Sequence, residues 1–597
     1  MLNLHKRYVS ESYDAQGVLQ GFSIHCPEDY NFAYDVVDAV AAAEPGRPAM
    51  VWLNPEGEEH LFSYGDLKLW SDKAANFLAS AGVRRGDVVL VILRRHYQFW
   101  FAALALHKLG AVLAPATFML KEHDLRYRLD RAQVRTVVCT DAGDVAGVVD
   151  AVDRGRGGGL VKILVGGGGG GLTPPEEIAE LLRRGAGEGA GGAGFDPFSA
   201  KGAALGGPQG ICSARVRREG WLDFNQGVAE ASGDFARVPT KASDPMIMYF
   251  SSGTSGPPKM VLHDSGYSLG HLGTAKHWQN VRGDGGLHLT IADTGWGKAV
   301  WGKFYGQFLL AACVLTYDFD RFRGEEVCAL IERFRVSTFC APPTMVRLIL
   351  QSGSESYDLS SLEYSVTAGE ALSPELFERW KARTGLALMD GFGQTETPVT
   401  VCNRVGMAPR PGSMGKPLPL YDIKIMDADG RECADGQTGE ICIKADPRPP
   451  GVMVGYLRDE AKTAEAMRGG WYHTGDTAWR DEDGYYWYVG RNDDIIKSSG
   501  YRIGPFEIES VLHGHPAVRE CAVTGVPDPV RGTAVKATIV LNPGFEGSEA
   551  LTKELQEWVK AQTAPYKFPR IVAYADALPK TVNGKIRRAA IRDADGR

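Results

Sequence analysis

Residues 249–259 read "YFSSGTSGPPK", hydroxyl side chains alternating with glycines and closing on a lysine. The chemistry that suits such a run is the holding of an anion. Phosphate oxygens accept several short hydrogen bonds at once and need a backbone that can come close. Ser251, Ser252, Thr254 and Ser255 supply hydroxyl donors. Gly253 and Gly256 admit positive φ, so successive N–H groups can form an anion-binding nest, and Lys259 adds positive charge. No Gly-Lys-Ser/Thr closes the run, so it is not a Walker sequence, and the same composition also makes an ordinary flexible turn. The preceding element separates these readings. "DPMIMYF" is an apolar run ending at Phe250, so the loop leaves the C-terminal end of a strand, where open α/β sheets meet their ligands.

The elements upstream repeat one theme. "DVVLVIL" (87–93) reads as a buried strand, "YQFWFAALALHKLG" as a helix stopped at Gly110, and "AVLAPA" and "RTVVCT" (135–140) as further strands. Strand, helix, strand in succession predicts an α/β chain with a parallel, helix-covered sheet. Residues 155–220 break the pattern with "GGGGGG" and "GAGEGAGGAG". Apart from "KILV" they hold few large apolar side chains, which predicts a flexible insertion. Beyond residue 485 the texture changes again. "YYWYVGR" reads as a strand, "NDD" as a turn and "IIKSSGYRI" as the return strand. "PFEIESVLHGHPAV" and "SEALTKELQEWVKAQ" are helices flanking the strands "ECAVTGV" and "VKATIVL". This is a compact α+β module.

At 597 residues the chain exceeds one core, and its 44% apolar and 23% charged residues are ordinary for globular domains. A net charge of −7 gives no footprint for nucleic acid. Ten cysteines include no CxxC pair, which argues against a zinc site or disulfide framework. With no apolar signal core in "MLNLHKRYVSESYD", and with His107 and Lys108 interrupting the longest apolar stretch, a cytoplasmic chain without a membrane span is expected.

After the opening loop come "AGE" (368–370), "DGFGQTE" (390–396), "YHTGD" (472–476), "GRNDDIIKSSGYRIGPFEIE" (490–509) and "PKTVNGKIRR" (579–588). In this order they resemble the adenylate-forming superfamily of acyl-CoA synthetases, luciferases and nonribosomal-peptide adenylation domains. The resemblance runs from about residue 60 to the end, the insertion excepted. "SSGYRIGPFE", "DPVRG" and "TAPYKFPR" look most like the medium-chain acyl-CoA synthetase branch. It implies a large N-terminal domain of layered sheets and helices (1–490) and a small mobile C-terminal α+β domain (491–597). It also implies a two-step reaction: a carboxylate and ATP give acyl-AMP and pyrophosphate, then coenzyme A takes the acyl group.

By this resemblance the 251–256 loop binds the β- and γ-phosphates, with Lys259 beside it. Thr395 stands near the α-phosphate and Glu396 holds Mg²⁺, a hard ion suited to oxygen ligands. Gly369, Glu370 and Ala371 form the adenine-contacting turn, with Asp390, Gly391 and Phe392 opposite. Phe392 stands where many relatives carry tyrosine, which keeps the ring and loses a hydroxyl. Asp476 and Arg491 are the ribose candidates. Lys585 bridges the acyl carboxylate and α-phosphate during adenylation, a task suited to a mobile point charge. Asp493 is the hinge. Gly500 lines the pantetheine tunnel, and Ser499, Tyr501, Arg531 and Arg570 are candidates for the nucleotide end of coenzyme A. Trp296 gates the acid, Trp278, Trp301, Cys340 and Gly369 form its walls, and Arg502 contacts its carboxylate or the nucleotide phosphate. Lys298 either brings a charge into this pocket or points into water. Two indoles favour a small or medium, branched or aromatic acid over a long chain. Met119, where some relatives carry glutamine, puts one coenzyme A contact in doubt.

ATP, Mg²⁺ and coenzyme A are thus the expected cofactors, and a small carboxylic acid the expected partner. A ligase that loads a carrier protein shares the chemistry but needs a docking surface for that protein. A non-catalytic adenylate binder would lack Lys585, Glu396 or Asp476, and all three are present.

Overall fold

The computed structural model of the chain describes residues 2–167, 216–251, 258–498, 501–529, 532–564, 566–580 and 586–595, the side chains of Tyr501 and Arg502 excepted. Two large sheets form its body. In the eight-stranded sheet, Val112–Pro115, Val88–Ile92, Thr136–Thr140 and Val161–Val165 run parallel in that spatial order. Pro245–Ser251 joins parallel beside Val112–Pro115, then turns into Lys259–Asp264, whose outer edge pairs with Gly455–Tyr456. The nine-stranded sheet has a parallel centre: Leu388–Gly393, Tyr364–Ala368, Thr338–Cys340, Leu287–Thr290, Cys313–Tyr317 and Pro48–Leu53.

Both faces of the central strands are buried, which is why they read as unbroken apolar runs. Val89 and Val91 face one core cluster while Leu90 and Ile92 face another. Met50 and Trp52 share the first cluster, so it joins the two sheets. Helix Gln98–Leu109 lies within it, all twelve residues buried, and ends at Gly110 with φ +68°. Its one ammonium is also buried. Lys108 is tied to Asp72 at 2.6 Å and Asp38 at 2.9 Å, as a charge out of water must be. Among the described residues no helix is long and apolar enough to cross a membrane.

Two expectations need correction. Residues 155–220 are not all insertion: Val145–Gly155 is a helix and Val161–Val165 a strand paired with Thr136–Thr140 and Leu222–Asp223. The apolar "KILV" buries its side chains despite its glycine surroundings. The longer glycine runs fall in 168–215, outside the described residues. Nor is "IIKSSGYRI" one return strand. Ile496–Ser498 pairs antiparallel with Tyr501–Ile503, while Tyr486–Arg491 pairs instead with Trp471–Arg480.

The chain after this point builds a separate core. Helices Pro505–His513 and Glu549–Gln562 bury Ile508, Leu512, Leu551, Leu555 and Val559 against the strands Val518–Asp528 and Gly532–Leu541. Ser548 caps the second helix by accepting from the Leu551 N–H. The last helix, Arg588–Asp595, is pinned by charge. The Arg588 guanidinium donates to both oxygens of Glu509 at 2.7 and 2.6 Å, and Arg592 meets Asp494 at 2.6 Å. Glu509 is buried and has no other cation among the described residues, so removing Arg588 strands its charge, at a cost of about 3 kcal/mol. Arg588→Ala is therefore expected to speed hydrogen exchange at the amides of Val518–Asp528 by on the order of a hundredfold. Unchanged protection would show that these ion pairs do not hold the small core.

Candidate active site

The two halves of the expected phosphate site converge through a residue the motifs do not contain. Ser251 and Lys259 are cross-strand partners at the mouth of the hairpin. Ser252, Gly253, Thr254, Ser255 and Gly256, between them, lie outside the described residues. The Lys259 ammonium stands 3.4 Å from the Tyr456 hydroxyl and 4.8 Å from the centre of its ring. That hydroxyl donates to Glu396 Oε1 at 3.1 Å. Tyr456 thus links the lysine to the carboxylate expected to hold metal, and burial beside Glu396 drives its phenol pKa far up. Thr395 is fixed by its carbonyl, which accepts from His263 Nε2 at 2.8 Å.

A second knot surrounds Asp476. Glu440 pairs with Thr477 while Cys442 pairs with His473, so Thr474, Gly475 and Asp476 bulge from their strand. Gly475 takes φ +71° in the bulge, and its N–H donates to Glu440 Oε1 at 2.8 Å. The Asp476 carboxylate accepts from Tyr488 Oη at 3.0 Å and from the Gln394 amide, with Arg491 at 3.7 Å. Gln394 also donates to the Thr474 carbonyl and accepts from Tyr472 at 2.6 Å. Arg491 reaches Asp493 at 3.5 Å. The two acids hold its guanidinium firmly in the charged form despite its burial.

The expected adenine turn lies between these knots. Ala368 and Gly391 are partners on neighbouring parallel strands. Gly369 has φ +98°, and a Cβ there would meet nothing within 4 Å, so that face is open. Glu370 accepts from the Thr344 hydroxyl at 2.5 Å, and Ala371 is half-buried beside it. Phe392 is half-buried, with its ring 6.5 Å from that of Tyr488. Lys298 does not simply point into water, for it donates to the Ala368 carbonyl at 2.7 Å.

The tryptophans support the glycines of "DGFG". A Cβ on Gly391 would stand 2.7 Å from the Trp278 ring, and one on Gly393 2.6 Å from Trp301. Trp278 is fully buried and donates to the Met389 carbonyl at 3.1 Å. The indole N–H groups of Trp296 and Trp301 are buried with no acceptor among the described residues. Cys340 is buried at the end of its strand. The segment that carries Lys298 and Trp301 is two short helices, Gly297–Lys303 and Tyr305–Leu309, broken at Phe304.

Other expected residues stand apart. Arg570 is exposed, its guanidinium 4.4 Å from the centre of the Phe568 ring. Ser499, Gly500, Arg531 and Lys585 lie outside the described residues, as do the side chains of Tyr501 and Arg502. Gln394 lies inside "DGFGQTE", and only the structure shows that it clasps Asp476. Tyr472 opens "YHTGD" without a role assigned to it, while Tyr456 and Tyr488 lie outside the quoted motifs and only the sheet pairing brings them in.

The comparisons with known proteins bear on this arrangement. Residues 37–457 match the model of the AMP-binding enzyme family, and residues 507–585 that of the AMP-binding enzyme C-terminal domain. The chain belongs to the AMP-binding enzyme family. It is 38% identical to "Acyl-coenzyme A synthetase ACSM3, mitochondrial" of Mus musculus over 97% of this chain and 92% of that one. It is 37% identical to "Acyl-coenzyme A synthetase ACSM5, mitochondrial" of Homo sapiens, over 95% and 91%. Among solved structures, the anthranilate CoA ligase AuaEII in complex with anthranoyl-AMP superposes with a TM-score of 0.81 at 26% identity, over 96% of this chain and 98% of that one. An acyl-CoA synthetase of Brucella canis gives 0.67 at 30%, over 95% and 94%. This AMP-binding enzyme is an ATP-dependent acid–CoA ligase working through an acyl-adenylate, with the α/β fold of a large N-terminal and a small C-terminal domain. The cytoplasmic location expected from the sequence is overturned, because these curated relatives are mitochondrial proteins. Nine cysteines among the described residues are free, which names no compartment.

Asp390 gives the site a pH signature. Its carboxyl is buried, accepts from the Gly391 N–H at 2.8 Å, and is pushed by burial up to about 8 from an ordinary 3.8. The folded state thus favours the protonated acid. That contribution is complete below the unfolded value and is lost as pH rises through 8. The urea midpoint is expected to fall between pH 5 and 8 more steeply than that of Asp390→Asn. Parallel profiles for the two proteins would show that Asp390 is ionised in the folded chain.

Proposed function

We propose that this ligase activates a short- or medium-chain, branched or aromatic carboxylic acid, with Lys259, Thr395, Glu396 and Lys585 as its catalytic groups. The observation that carries the reading is the Lys259–Tyr456–Glu396 chain. It sets a cation and a carboxylate side by side at the mouth of the 251–256 loop. In the first half-reaction the substrate carboxylate oxygen bonds to the α-phosphorus of ATP and the bond to pyrophosphate breaks. Negative charge gathers there, so donors fixed beforehand are worth more than donors recruited from water. The loop hydroxyls and N–H groups with Lys259 take the departing pyrophosphate, and Lys585 neutralises the charge between carboxylate and α-phosphate.

Glu396 suits Mg²⁺. Its Oε1 accepts from Tyr456 and its Oε2 has no partner among the described residues, which leaves a lone oxygen for a hard ion. Bound Mg²⁺ would supply positive charge against the phosphates. Asp476, held by Gln394, Tyr488 and Arg491, accepts from the ribose hydroxyls, and Gly369, Glu370, Ala371, Asp390, Gly391 and Phe392 enclose the base. Lys298, drawn to the Ala368 carbonyl, sits between base and acid. Trp278, Trp296, Trp301, Cys340 and Arg502 bound the acyl end, and the bulk of the indoles favours compact acids. The domains divide at residues 490 and 491. Asp493, 41% exposed in a turn, is the hinge that carries Lys585 away and brings Ser499, Gly500, Tyr501, Arg531 and Arg570 to coenzyme A.

The test is an acid panel from acetate to dodecanoate, with 2-methylbutyrate and benzoate, assayed for pyrophosphate and, by mass spectrometry, for acyl-CoA. Acyl-CoA from one size class is the expected result. Pyrophosphate without thioester would move the acceptor to a carrier protein. Lys585→Ala is expected to slow pyrophosphate release on the order of a hundredfold or more, while thioester formation from supplied acyl-AMP persists. Equal loss of both steps would end the assignment of Lys585 to adenylation alone.

A further inference from the structure

A group of side chains outside the reaction just described has the composition of a metal site. Glu440 and Cys442 project from strand Gly439–Lys444, and His473 from the antiparallel strand Trp471–Arg480, where it is the direct cross-strand partner of Cys442. One ligand atom from each lies within 4.8 Å of the others. His473 Nδ1 is the centre of the group, 3.4 Å from Cys442 Sγ and 3.0 Å from Glu440 Oε2.

These contacts cannot all be good hydrogen bonds. If Nδ1 carries a proton it donates to the Glu440 carboxylate, and the thiol hydrogen has nothing to meet on that side. If Nδ1 is bare it accepts from the thiol, and its lone pair then faces the carboxylate. Only the Nδ1–H tautomer keeps electron-rich atoms apart, and it offers the thiol sulfur no more than a weak, shared hydrogen bond. A cation in their midst serves the lone pairs of all three.

The spacing fits a particular kind of cation. With metal–sulfur bonds of about 2.3 Å and metal–nitrogen or metal–oxygen bonds of about 2.0 Å, a tetrahedron sets S···N about 3.5 Å apart and N···O about 3.3 Å apart. The observed separations lie within about 0.3 Å of that, a shift that side-chain torsions absorb. Thiolate, imidazole and carboxylate together suit a borderline-soft ion such as Zn²⁺, whereas Mg²⁺ prefers oxygen alone.

We propose that Glu440, Cys442 and His473 form a binding site for Zn²⁺ or a similar borderline-soft divalent ion, with water as the fourth ligand. The side chains of Glu440 and His473 are 15% and 12% exposed, so an ion can enter and a water can complete the shell. Binding replaces the thiol hydrogen of Cys442, which leaves as a proton to solvent, and His473 keeps its ring hydrogen on Nε2. The competing partner is weak. Arg468 approaches Glu440 Oε2 at 3.3 Å but its side chain is 53% exposed, so it is released to water at little cost. Glu440 Oε1 remains with the Gly475 N–H throughout. The site is separate from Glu396, and its occupancy does not depend on the roles proposed for the nucleotide.

Co²⁺ and Zn²⁺ titrations of the full chain test this. Wild-type protein is expected to take up one Co²⁺ with a thiolate charge-transfer band in the near ultraviolet, displaced by one equivalent of Zn²⁺. Cys442→Ser is expected to lose the band. His473→Gln, at a more open position, is expected to weaken Zn²⁺ at least tenfold against a chromophoric chelator. Glu440→Gln keeps an acceptor for Gly475 and is expected to weaken it as well. Thermal unfolding of each variant without metal separates loss of a ligand from loss of the fold. No thiolate band in the wild type, a band that survives Cys442→Ser, or equal Zn²⁺ affinity in a folded His473→Gln would overturn the site.

Discussion

A carboxylate taken out of water must be surrounded by donors, and meeting that demand at Asp476 ties the molecule together. Its side chain is nearly buried, and its donors come from different parts of the chain. Gln394 arrives from the end of the nine-stranded sheet, Tyr488 and Arg491 from the neighbouring antiparallel strand. Just beyond Tyr488 lies the charge of Arg588, which anchors the last helix through Glu509. One buried acid is thus held jointly by the nine-stranded sheet, the paired strands Trp471–Arg480 and Tyr486–Arg491 and, at one remove, the C-terminal core. Loss of any donor leaves a charge that the others must carry alone.

The motif residues meet because of sheet geometry that no single motif encodes. Parallel strands end together, so Ala368 and Gly391 deliver "AGE" and "DGFGQTE" to one edge. A bulge then turns Asp476 toward that edge, and the hairpin ending at Ser251 and beginning again at Lys259 lies on the adjoining sheet. The glycines of "DGFG" have a second task that the motif conceals. Trp278 and Trp301 pack where their Cβ atoms would be, so the loop's close approach and the indole packing are one constraint.

What the sequence reveals is what lies close together along it. The apolar runs at 87–93 and 135–140 and the Gly110 stop are local signals, and the observed elements follow them within a residue or so. Tyr456 is illegible because its partners Lys259 and Glu396 are 197 and 60 residues away. Tyr472 is hidden in the same way from Gln394. The glycine-rich neighbours of "KILV" conceal the sheet that buries Ile163, Leu164 and Val165. "IIKSSGYRI" alternates like one strand, and its Ser-Gly pair is the turn signal that divides it. The divalent-ion candidate is illegible for a related reason: ligands that a cross-strand register brings together leave no CxxC spacing.

The edge strand Gly455–Tyr456 also has a consequence for the order of assembly. Lys259–Asp264 is made long before the two residues that cover its outer edge, with 197 residues separating Lys259 from Tyr456. At ordinary translation speeds of about 5–20 residues per second, that is roughly 10–40 s of synthesis. Through that interval the hairpin holding Lys259 presents a bare row of N–H and C=O groups, the kind of edge that recruits other chains. The tyrosine that links Lys259 to Glu396 is therefore also the one that closes the sheet to strangers, and the nascent hairpin is most exposed until that link forms.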